Sequence, residues 1–471
     1  MSGLDLQPNY SNAYVLYLAH QSVELANIYL LYEKVLMKLS GEQFLTDLKQ
    51  RGLVAQYSGD QDLIAHLDES RTLYCGFDPT ADSLHIGSLV PLLVLKRFQE
   101  AGHRPIVLVG GSTGLIGDPS FKAEERKLNS PEVVADWVAK IKCQTQRFVN
   151  FKTESPNNAL AVNNLDWTAG MDVLDFLRDV GKHFSINTMI QKESVKQRLD
   201  REGAGISFTE FSYSLLQGLD FAELNRRYDC TVQIGGSDQW GNIVSGIDLS
   251  RRQNKSQCFA LTVPLVTKAD GSKFGKTESG TVWLDATKTS PYSFYQFWLN
   301  VADADVYKFL RYFTFLTITE IQAIEDADAV TDGRPKAQRI LAEQVTTLVH
   351  GDDGYAAAMR ITSALFSGDT NDLSETDFMQ LSMDGLPSSV LSNEDLQNKP
   401  LTNLLTDCGM TKAGREVKDA LARHSVLING SAKGPEDNML TEANFAPQNA
   451  LHDRFFLVRL GKKKYHLFER I

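Results

Sequence analysis

The segment YCGFDPTADSLHIGS, residues 74–88, is the strongest constraint on the fold. An apolar run, residues 72–77, enters a turn through Asp-Pro-Thr, and apolar residues then recur at helical spacing from Leu89 to Phe98. The segment is therefore a predicted strand, a turn and a helix N-terminus. Ligands of α/β sheets bind at the carboxyl ends of strands, so this turn is a candidate site.

Further apolar runs, at residues 105–110, 159–163 and 231–235, also alternate with longer periodic segments and predict buried strands between helices. This alternation predicts an α/β fold with a Rossmann-like parallel sheet. Residues 290–365 have helical periodicity without strand alternation, which predicts a second, all-α domain. A chain of 471 residues is long enough for two to four domains.

The charge changes after residue 365. Residues 366–398 contain seven Asp and Glu and no Lys or Arg, a composition typical of a linker region. Residues 399–471 carry twelve Lys and Arg against eight Asp and Glu, within a chain of net charge -11. This local excess makes the tail a candidate RNA or anion binder. The predicted organisation is an N-terminal extension of unassigned role at 1–43, an α/β domain at 44–289, an all-α domain at 290–365, an acidic linker region at 366–398 and a basic C-terminal segment at 399–471.

Composition excludes several protein classes. With 42% apolar and 23% charged residues and no run of eighteen apolar residues, the chain is not expected to span a membrane. The five cysteines are widely spaced and form no CxxC pair, which predicts neither disulfides nor a zinc site and favours the cytoplasm. No Lys or Arg precedes Lys34, so a basic transit peptide is not supported.

A histidine at a strand-to-helix turn has a specific use. Free N–H groups and the helix dipole favour phosphate at a helix N-terminus, and a glycine lets the backbone approach closely. His85 and Thr80 could donate to such a phosphate, with Gly87 beside it. A purely structural alternative stays open, in which His85 is a capping or buried polar residue and Gly87 is a packing glycine.

A second candidate lies at residues 268–277, KADGSKFGKT, where Lys273 and Lys276 are three residues apart in a glycine-containing stretch. Cations beside a phosphate site would stabilise transition-state charge. The stretch is not the phosphate loop of ordinary ATPases, because Gly271 and Gly275 have three residues between them where that loop needs four. A solvated lysine loop is the alternative.

A third candidate is a helix face. Tyr213, Gln217 and Asp220 are spaced i, i+4 and i+7, so they share one side of a predicted helix and could line a polar pocket. A solvent-facing stripe is the common alternative. Glycine-rich turns at 110–120 and 234–242 follow predicted strands and combine backbone access with acidic or amide side chains.

From residue 44 onward, these elements resemble the bacterial-type tyrosyl-tRNA synthetases, class I enzymes with His-Ile-Gly-His and Lys-Met-Ser-Lys-Ser signatures. Ser88 stands where the first signature ends in His, and Phe274-Gly275 replace Met-Ser in the second. The resemblance implies that L-tyrosine and ATP, with Mg²⁺, form tyrosyl-adenylate and pyrophosphate. The tyrosyl group would then pass to the 3′-terminal adenosine of tRNA(Tyr). It also implies a homodimer without a tightly bound cofactor or protein-held metal. By the same resemblance, residues 44–289 would be the catalytic domain, residues 290–365 a helical anticodon-binding domain and residues 399–471 a small α+β RNA-binding domain.

The resemblance also implies residue roles. The catalytic residues would be Thr80, His85, Lys273 and Lys276. The same His85, Lys273 and Lys276 would bind ATP or the adenylate together with Gly76, Asp78, Gly87, Ser88, Gly235, Asp238, Gln239, Phe274 and Thr277. Tyrosine would be held by Tyr74, Asp118, Tyr213, Gln217 and Asp220.

The C-terminal stretch 404–430 is similar to a small RNA-binding module shared with a ribosomal protein. By that similarity, tRNA backbone would be contacted by Lys412, Arg415, Lys418 and Arg423. Competing hypotheses are a tryptophanyl-tRNA synthetase, a small-molecule adenylyltransferase and a non-catalytic RNA-binding protein. Neither of the two competing enzymes is expected to have Tyr74 together with Asp220. A non-catalytic RNA-binding protein would not need His85 and both loop lysines.

Overall fold

The computed structural model describes residues 39–118, 128–192, 195–196, 199–200, 205–269, 271, 274–277, 280–331, 333, 335–397 and 399–470. Most of the expected N-terminal extension, residues 1–38, lies outside them. Among the described residues, no helix is long and apolar enough to cross a membrane.

A six-stranded sheet forms the centre of the first part of the chain, in the order β1-β6-β5-β2-β3-β4. All its ladders are parallel except that between β1 and β6. The predicted α/β class is thus confirmed, and the four strands predicted from apolar runs are β2 to β5. The strands are β1 Gln56–Tyr57, β2 Thr72–Phe77, β3 Arg104–Val109, β4 Leu160–Asn163, β5 Cys230–Gly236 and β6 Phe259–Val263.

Helices cover both faces of this sheet because its strands are apolar on both sides. The long leucine-rich helix α3 follows the 3₁₀ turn Ile86–Ser88 and packs into the core through Leu92, Leu93 and Phe98. The helices are α1 Gly41–Gln50, α2 Asp60–Leu67, α3 Leu89–Glu100, α4 Thr113–Ile116, α5 Pro131–Thr145, α6 Leu165–Thr168, α7 Val173–Asp175, α8 Ile186–Ile190, α9 Phe208–Tyr228 and α10 Trp240–Asn254.

Helix α1 shows where the packed body starts. The side chain of Ser40 caps the helix by accepting from the N–H of Gln43, and the Gln43 side chain accepts from the Ser40 N–H in return. Phe44 and Leu48 then pack in the main core. Residues 41–43 therefore belong to this helix rather than to the extension expected at 1–43.

A helical unit follows the sheet, as the periodicity of residues 290–365 predicts. Its aromatic residues share one core with the α/β unit, so the two pack as neighbours. In its longest helix, Gly351 has φ +75° and interrupts the regular turns with a kink. The helices are α11 Pro291–Leu299, α12 Asp303–Phe313, α13 Ile318–Ala329 and α14 Ala337–Ser367.

The C-terminal part builds a second sheet in the order β11-β10-β12-β13-β9. Along the chain, a small antiparallel hairpin lies between the α/β unit and the helical unit. It pairs β7 Lys276–Thr277 with β8 Gly280–Thr281. The C-terminal helices are α15 Glu375–Gln380, α16 Asn393–Leu396, α17 Leu401–Asp407, α18 Gly414–Ala422 and α19 Thr441–Asn444. The strands are β9 Ser388–Leu391, β10 Val426–Ile428, β11 Ser431–Lys433, β12 Phe455–Leu460 and β13 Lys464–Arg470.

The acidic stretch 366–398 differs from the expected linker. Strand β9 pairs in parallel with β13, so it is part of the second sheet. Asp377 is buried and receives a bidentate ion pair from Arg360 of α14, at 2.7 and 2.8 Å. Asp384 accepts from the N–H and hydroxyl of Ser290, which caps α11. The linker prediction is therefore wrong for residues 375–391, because Asp377 and Asp384 bond to the helical unit and β9 belongs to the second sheet.

We expect Asp377→Ala to lower the free energy of unfolding by about 2–3 kcal/mol, the usual value of hydrogen bonds to a charged group. Burial opposes ionisation of Asp377, but Arg360 and the Ser374 donors outweigh it and hold its pKa below the ordinary value. The stabilisation is thus complete above about pH 4 and is lost as pH falls through the lowered pKa. Chemical denaturation at neutral pH and near pH 3 measures both effects.

Asp372→Ala is the matched control, because Asp372 is an exposed carboxylate in the same acidic stretch. We expect it to change the free energy by less than about 0.5 kcal/mol. Equal effects of the two substitutions at neutral pH would contradict a structural role for the Arg360–Asp377 pair.

Candidate active site

A pocket of about 290 Å³ opens at the carboxyl ends of β2 and β5. The chain runs from β2 to β3 and β4 on one side and from β5 to β6 on the other, so the pocket lies where the strand order reverses. Fourteen of the sequence-predicted site residues line it: Tyr74, Gly76, Asp78, Thr80, His85, Gly87, Ser88, Asp118, Tyr213, Gln217, Asp220, Gly235, Asp238 and Gln239.

The deep end is built around a buried carboxylate. Asp220 of α9 accepts from the Asn164 side-chain amide at 3.0 Å and from the Trp167 indole N–H at 2.9 Å. Burial raises its pKa to about 7 although both donors favour the ionised form. Tyr74 lies beside it on β2, 1% exposed, and its hydroxyl has no hydrogen-bond partner among the described residues.

The wall of the pocket is a second carboxylate network. Asp78 accepts from the Tyr213 hydroxyl at 2.7 Å and from the Thr113 hydroxyl at 2.6 Å. Burial, together with Asp78 and Asp118, raises the pKa of Tyr213 well above its ordinary value. Tyr213 therefore stays protonated and donates, and the helix-face residues are not the solvent-facing stripe of the alternative hypothesis.

Two more carboxylates continue this network toward the mouth. The Gln239 side-chain amide donates to Asp118 at 2.7 Å and to Asp238 at 3.1 Å. Burial raises the pKa of Asp238, and the nearby Asp118 adds to that shift. Gln217 presents a buried Oε1 without a partner among the described atoms. This part of the pocket is rich in acceptors and suits a cationic group.

At the mouth, His85 caps the 3₁₀ turn that leads into α3. Its Nδ1 accepts from the N–H of Gly87 at 3.0 Å, so the neutral ring carries its proton on Nε2 and can donate from there. Thr80 and Ser88 line the same opening with hydroxyl groups. The capping hypothesis and the ligand hypothesis for His85 are therefore compatible, because each uses a different ring nitrogen.

The lysine loop is described only in part. Lys273 lies outside the described residues, and Lys276 and Thr277 are described by their backbone in β7. Phe274 is not among the residues that line the pocket, and the ATP contact expected for it stays a prediction. Its ring packs among aromatic residues of the helical unit, since an apolar ring is more stable there than beside phosphates.

The cations proposed for RNA lie in the C-terminal unit. Arg415 and Lys418 are exposed on α18, and Lys412 and Arg423 are exposed at its two ends. Arg423 shares a surface cavity with the turn 462–464, which supplies three further lysines. These groups are separate from the pocket and face solvent.

Sequence reasoning missed the residues that hold the carboxylates in place. Asn164 also donates to Thr113 and accepts from the backbone of Ser112, so it links the deep end to the wall. The signal that could have found Asn164 is its position directly after β4, at the carboxyl edge of the sheet. Trp167 and Thr113 carry no comparable pattern. Gln233 of β5 pairs with Tyr74 in the ladder and lines the pocket beside it.

The arrangement has three zones with distinct chemistry. The deep end offers a hydroxyl and a carboxylate to a buried polar group, the wall offers acceptors to a cation, and the mouth offers donors and a helix N-terminus to an anion. The pocket is thus suited to positioning two ligands against each other.

Two family models match the chain. That described as tRNA synthetases class I (W and Y) matches residues 67–367, and that described as the tyrosine–tRNA ligase SYY-like C-terminal domain matches residues 377–468. A tyrosine–tRNA ligase of Aliivibrio fischeri (strain MJ11) is 60% identical over 427 residues, 90% of this chain and 98% of the relative. One of Escherichia coli (strain 55989 / EAEC) is 55% identical over 91% of this chain and 99% of the relative.

Solved structures agree with the sequence relatives. A C-terminally truncated mitochondrial tyrosyl-tRNA synthetase of Aspergillus nidulans has a TM-score of 0.61 and 30% identity, and the match covers 69% of this chain and 94% of that one. A C-terminally truncated mitochondrial tyrosyl-tRNA synthetase of Coccidioides posadasii has a TM-score of 0.59 and 29% identity. That match covers 73% of this chain and 99% of the other. The chain therefore belongs to the tyrosine–tRNA ligases, a family of class I tRNA synthetases.

Proposed function

We propose that the pocket performs the two steps of tyrosine–tRNA ligation. L-Tyrosine and ATP first give tyrosyl-adenylate and pyrophosphate, and the tyrosyl group then passes to the 3′-terminal adenosine of tRNA(Tyr). The observation that carries the choice of amino acid is the buried pair of Tyr74 and Asp220 at the closed end of the pocket. A phenol can donate to one of these groups and accept from the other.

Three zones of the pocket correspond to the parts of the substrates. The phenol would lie between Tyr74 and Asp220, and the α-ammonium group would lie at the wall, held by Asp118, Tyr213 and Gln217. Asp118 and its carboxylate neighbours favour a cation there. This placement directs the tyrosine carboxylate toward the mouth, where the α-phosphate of ATP would be attacked.

At the mouth, His85 would donate from Nε2 to ATP phosphate, with Thr80 and Ser88 as further donors. Gly76, Gly87 and Gly235 give backbone access for the nucleotide, and Asp78, Asp238 and Gln239 lie where its sugar would enter. Lys273, Lys276 and Thr277 would stabilise the departing pyrophosphate. These groups act by position and charge, so no residue needs to form a covalent bond.

Magnesium would accompany ATP as part of the substrate. Among the described residues, no group of three His, Cys, Asp or Glu side chains could hold a metal ion. Phosphate oxygens are the usual ligands of Mg²⁺, which retains several waters. The ion would neutralise phosphate charge, while Asp78 and Asp118 remain engaged with protein donors and the substrate ammonium group.

For tRNA, we propose that the α/β unit (44–289) is catalytic, the helical unit (290–365) faces the anticodon and the C-terminal unit holds the backbone. Lys412, Arg415, Lys418 and Arg423 supply exposed charge without base-reading geometry, which is typical of phosphate contacts. The lysine turn 462–464 extends this basic surface. All five cysteines are free thiols, which supports the cytoplasm as the compartment.

We further propose a homodimer. Eight large apolar side chains between residues 165 and 208 are exposed, an unusual concentration on one stretch of chain. A second copy would bury them. They are Leu165, Val173, Leu174, Leu177, Ile186, Ile190, Leu199 and Phe208.

Tyr74→Phe should leave an active enzyme with a reduced preference for tyrosine over phenylalanine. Phenylalanine in the wild-type pocket leaves buried polar groups unpaired, and the substitution removes one of them. This enzyme family is itself the standard example of such discrimination, about 10⁵-fold. The measurement is kcat/KM for both amino acids in ATP–pyrophosphate exchange. Wild-type selectivity would disprove the role of Tyr74.

Tyrosine affinity should weaken below neutral pH. In the free enzyme, burial raises the pKa of Asp220 to about 7, and the ionised carboxylate accepts from the phenol more strongly than the neutral acid does. We expect the Kd for tyrosine to rise by up to about tenfold from pH 8 to pH 6, as the ionised fraction falls. Calorimetry without ATP measures it. Asp220→Asn should bind weakly without this pH step, and a wild-type Kd that is flat from pH 8 to 6 would contradict the proposal.

The dimer is tested at Leu174, which is 75% exposed. Leu174→Glu should shift the protein toward monomer, because a charge buried in an apolar interface is costly. Val330→Glu is the matched control, since Val330 is 84% exposed on the helical unit. Sedimentation velocity at micromolar concentration distinguishes the two. If both variants are monomeric, or both are dimeric, the interface lies elsewhere.

A further inference from the structure

Phe274 has an unusual position for a residue between two loop lysines. Its ring contacts Phe297 and Trp298 of α11 and Phe309 and Phe313 of α12, with ring centroids 4.7–5.6 Å apart. These distances are those of favourable aromatic pairs. The side chain that precedes β7 is therefore inserted into the helical unit, while the substrate pocket belongs to the α/β unit.

The next residue makes the opposite contact. Gly275 has φ +83°, and a Cβ there would clash with Ile86 Cγ2 in the His85 turn. The same turn is hydrogen-bonded to the strand leaving the loop, with the Ile86 N–H donating to Val282 O at 3.0 Å and the Val282 N–H donating to Gly275 O at 3.1 Å. Residues 274–275 thus touch the helical unit on one side and the first signature turn on the other.

We propose that Phe274 is a positioning residue that sets the lysine loop against the His85 turn by anchoring it in the aromatic cluster of the helical unit. Lys273 precedes Phe274 directly and Lys276 follows two residues later, so a displacement of the ring displaces both. This inference rests on the proposed roles of the two lysines. It replaces the ATP contact expected for Phe274 with an indirect effect on the transition state.

Positioning and simple packing have different consequences. If the ring only adds core stability, its loss lowers the melting temperature and leaves the turnover of the folded enzyme unchanged. If it positions the loop, its loss lowers kcat while tyrosine binding is kept, because Tyr74 and Asp220 lie in the other unit and bind tyrosine before the transition state. The split between kcat and tyrosine Kd therefore decides between the two roles.

The main variant is Phe274→Ala, assayed in the full-length enzyme by ATP–pyrophosphate exchange. We expect kcat to fall about 10²-fold, the loss typical of a catalytic group misplaced by about 1 Å, with tyrosine Kd within about twofold of wild type. Phe274→Met should restore most of kcat, since methionine is apolar, adaptable and favourable beside aromatic rings. Met also stands at this position of the usual family signature.

Two controls separate the causes. Phe315→Ala removes another half-buried ring of the helical unit. This ring stacks with the Arg97 guanidinium group and not with the Phe274 ring, so we expect kcat to stay near wild type. Lys276→Ala tests the lysine role itself. If Lys276→Ala loses kcat and Phe274→Ala keeps it, this inference is wrong and the lysine role stands. If Lys276→Ala and Lys273→Ala both keep kcat, the lysine roles fail, and the inference with them.

The aromatic partners provide a final test. Phe309 is the partner nearest to Phe274, at 4.7 Å. Phe309→Leu should lower kcat in the wild-type background and have little further effect in Phe274→Ala, because interacting residues are non-additive. Additive effects, or equal losses in Phe274→Met and Phe274→Ala, would overturn anchoring through the ring.

Discussion

The parallel pairing of β2 with β5 is the constraint on which the site depends. The chain leaves β2 toward β3 and β4 and returns to place β5 on the other side, so the connections beyond the two strands diverge and leave a crevice. The register of this ladder then sets how deep each residue lies in the crevice. Tyr74 pairs with Gln233 inside the sheet, while Gly235 and Gly236 lie nearer its edge. One ladder thereby separates the closed end of the pocket from its open mouth.

Within that crevice, two buried polar groups reduce the local stability of the fold. Asp220 is fully buried, and the amide and indole N–H groups that donate to it are neutral, so its ionised form costs free energy that the fold supplies elsewhere. Tyr74 adds a buried hydroxyl without a partner among the described atoms. A phenol would satisfy both groups at once. Departures from ordinary polar pairing at functional sites are expected for this reason.

Patterns with a fixed period could be predicted from the sequence, and isolated contacts could not. The apolar runs of β2 to β5 and the shared face of Tyr213, Gln217 and Asp220 follow from the geometry of strands and helices. Asn164 and Trp167 act alone, through contacts more than fifty residues away in sequence. Composition gave a wrong prediction at Asp377, because a solvated acidic linker and a stretch whose carboxylates pair with other elements have the same composition.

The paired carboxylates also determine how the C-terminal unit can be studied. Asp384 binds the cap of α11, Asp377 binds Arg360, and β9 pairs with β13, so the second sheet is joined to the helical unit by these contacts. Tyr292 of α11 shares a core with Phe455 and Leu467 from that sheet. Removing residues 399–471 would leave β9 unpaired and this core exposed, and a loss of activity would not isolate RNA contacts. Substituting the exposed cations of α18 leaves the core intact, so it separates phosphate binding from folding.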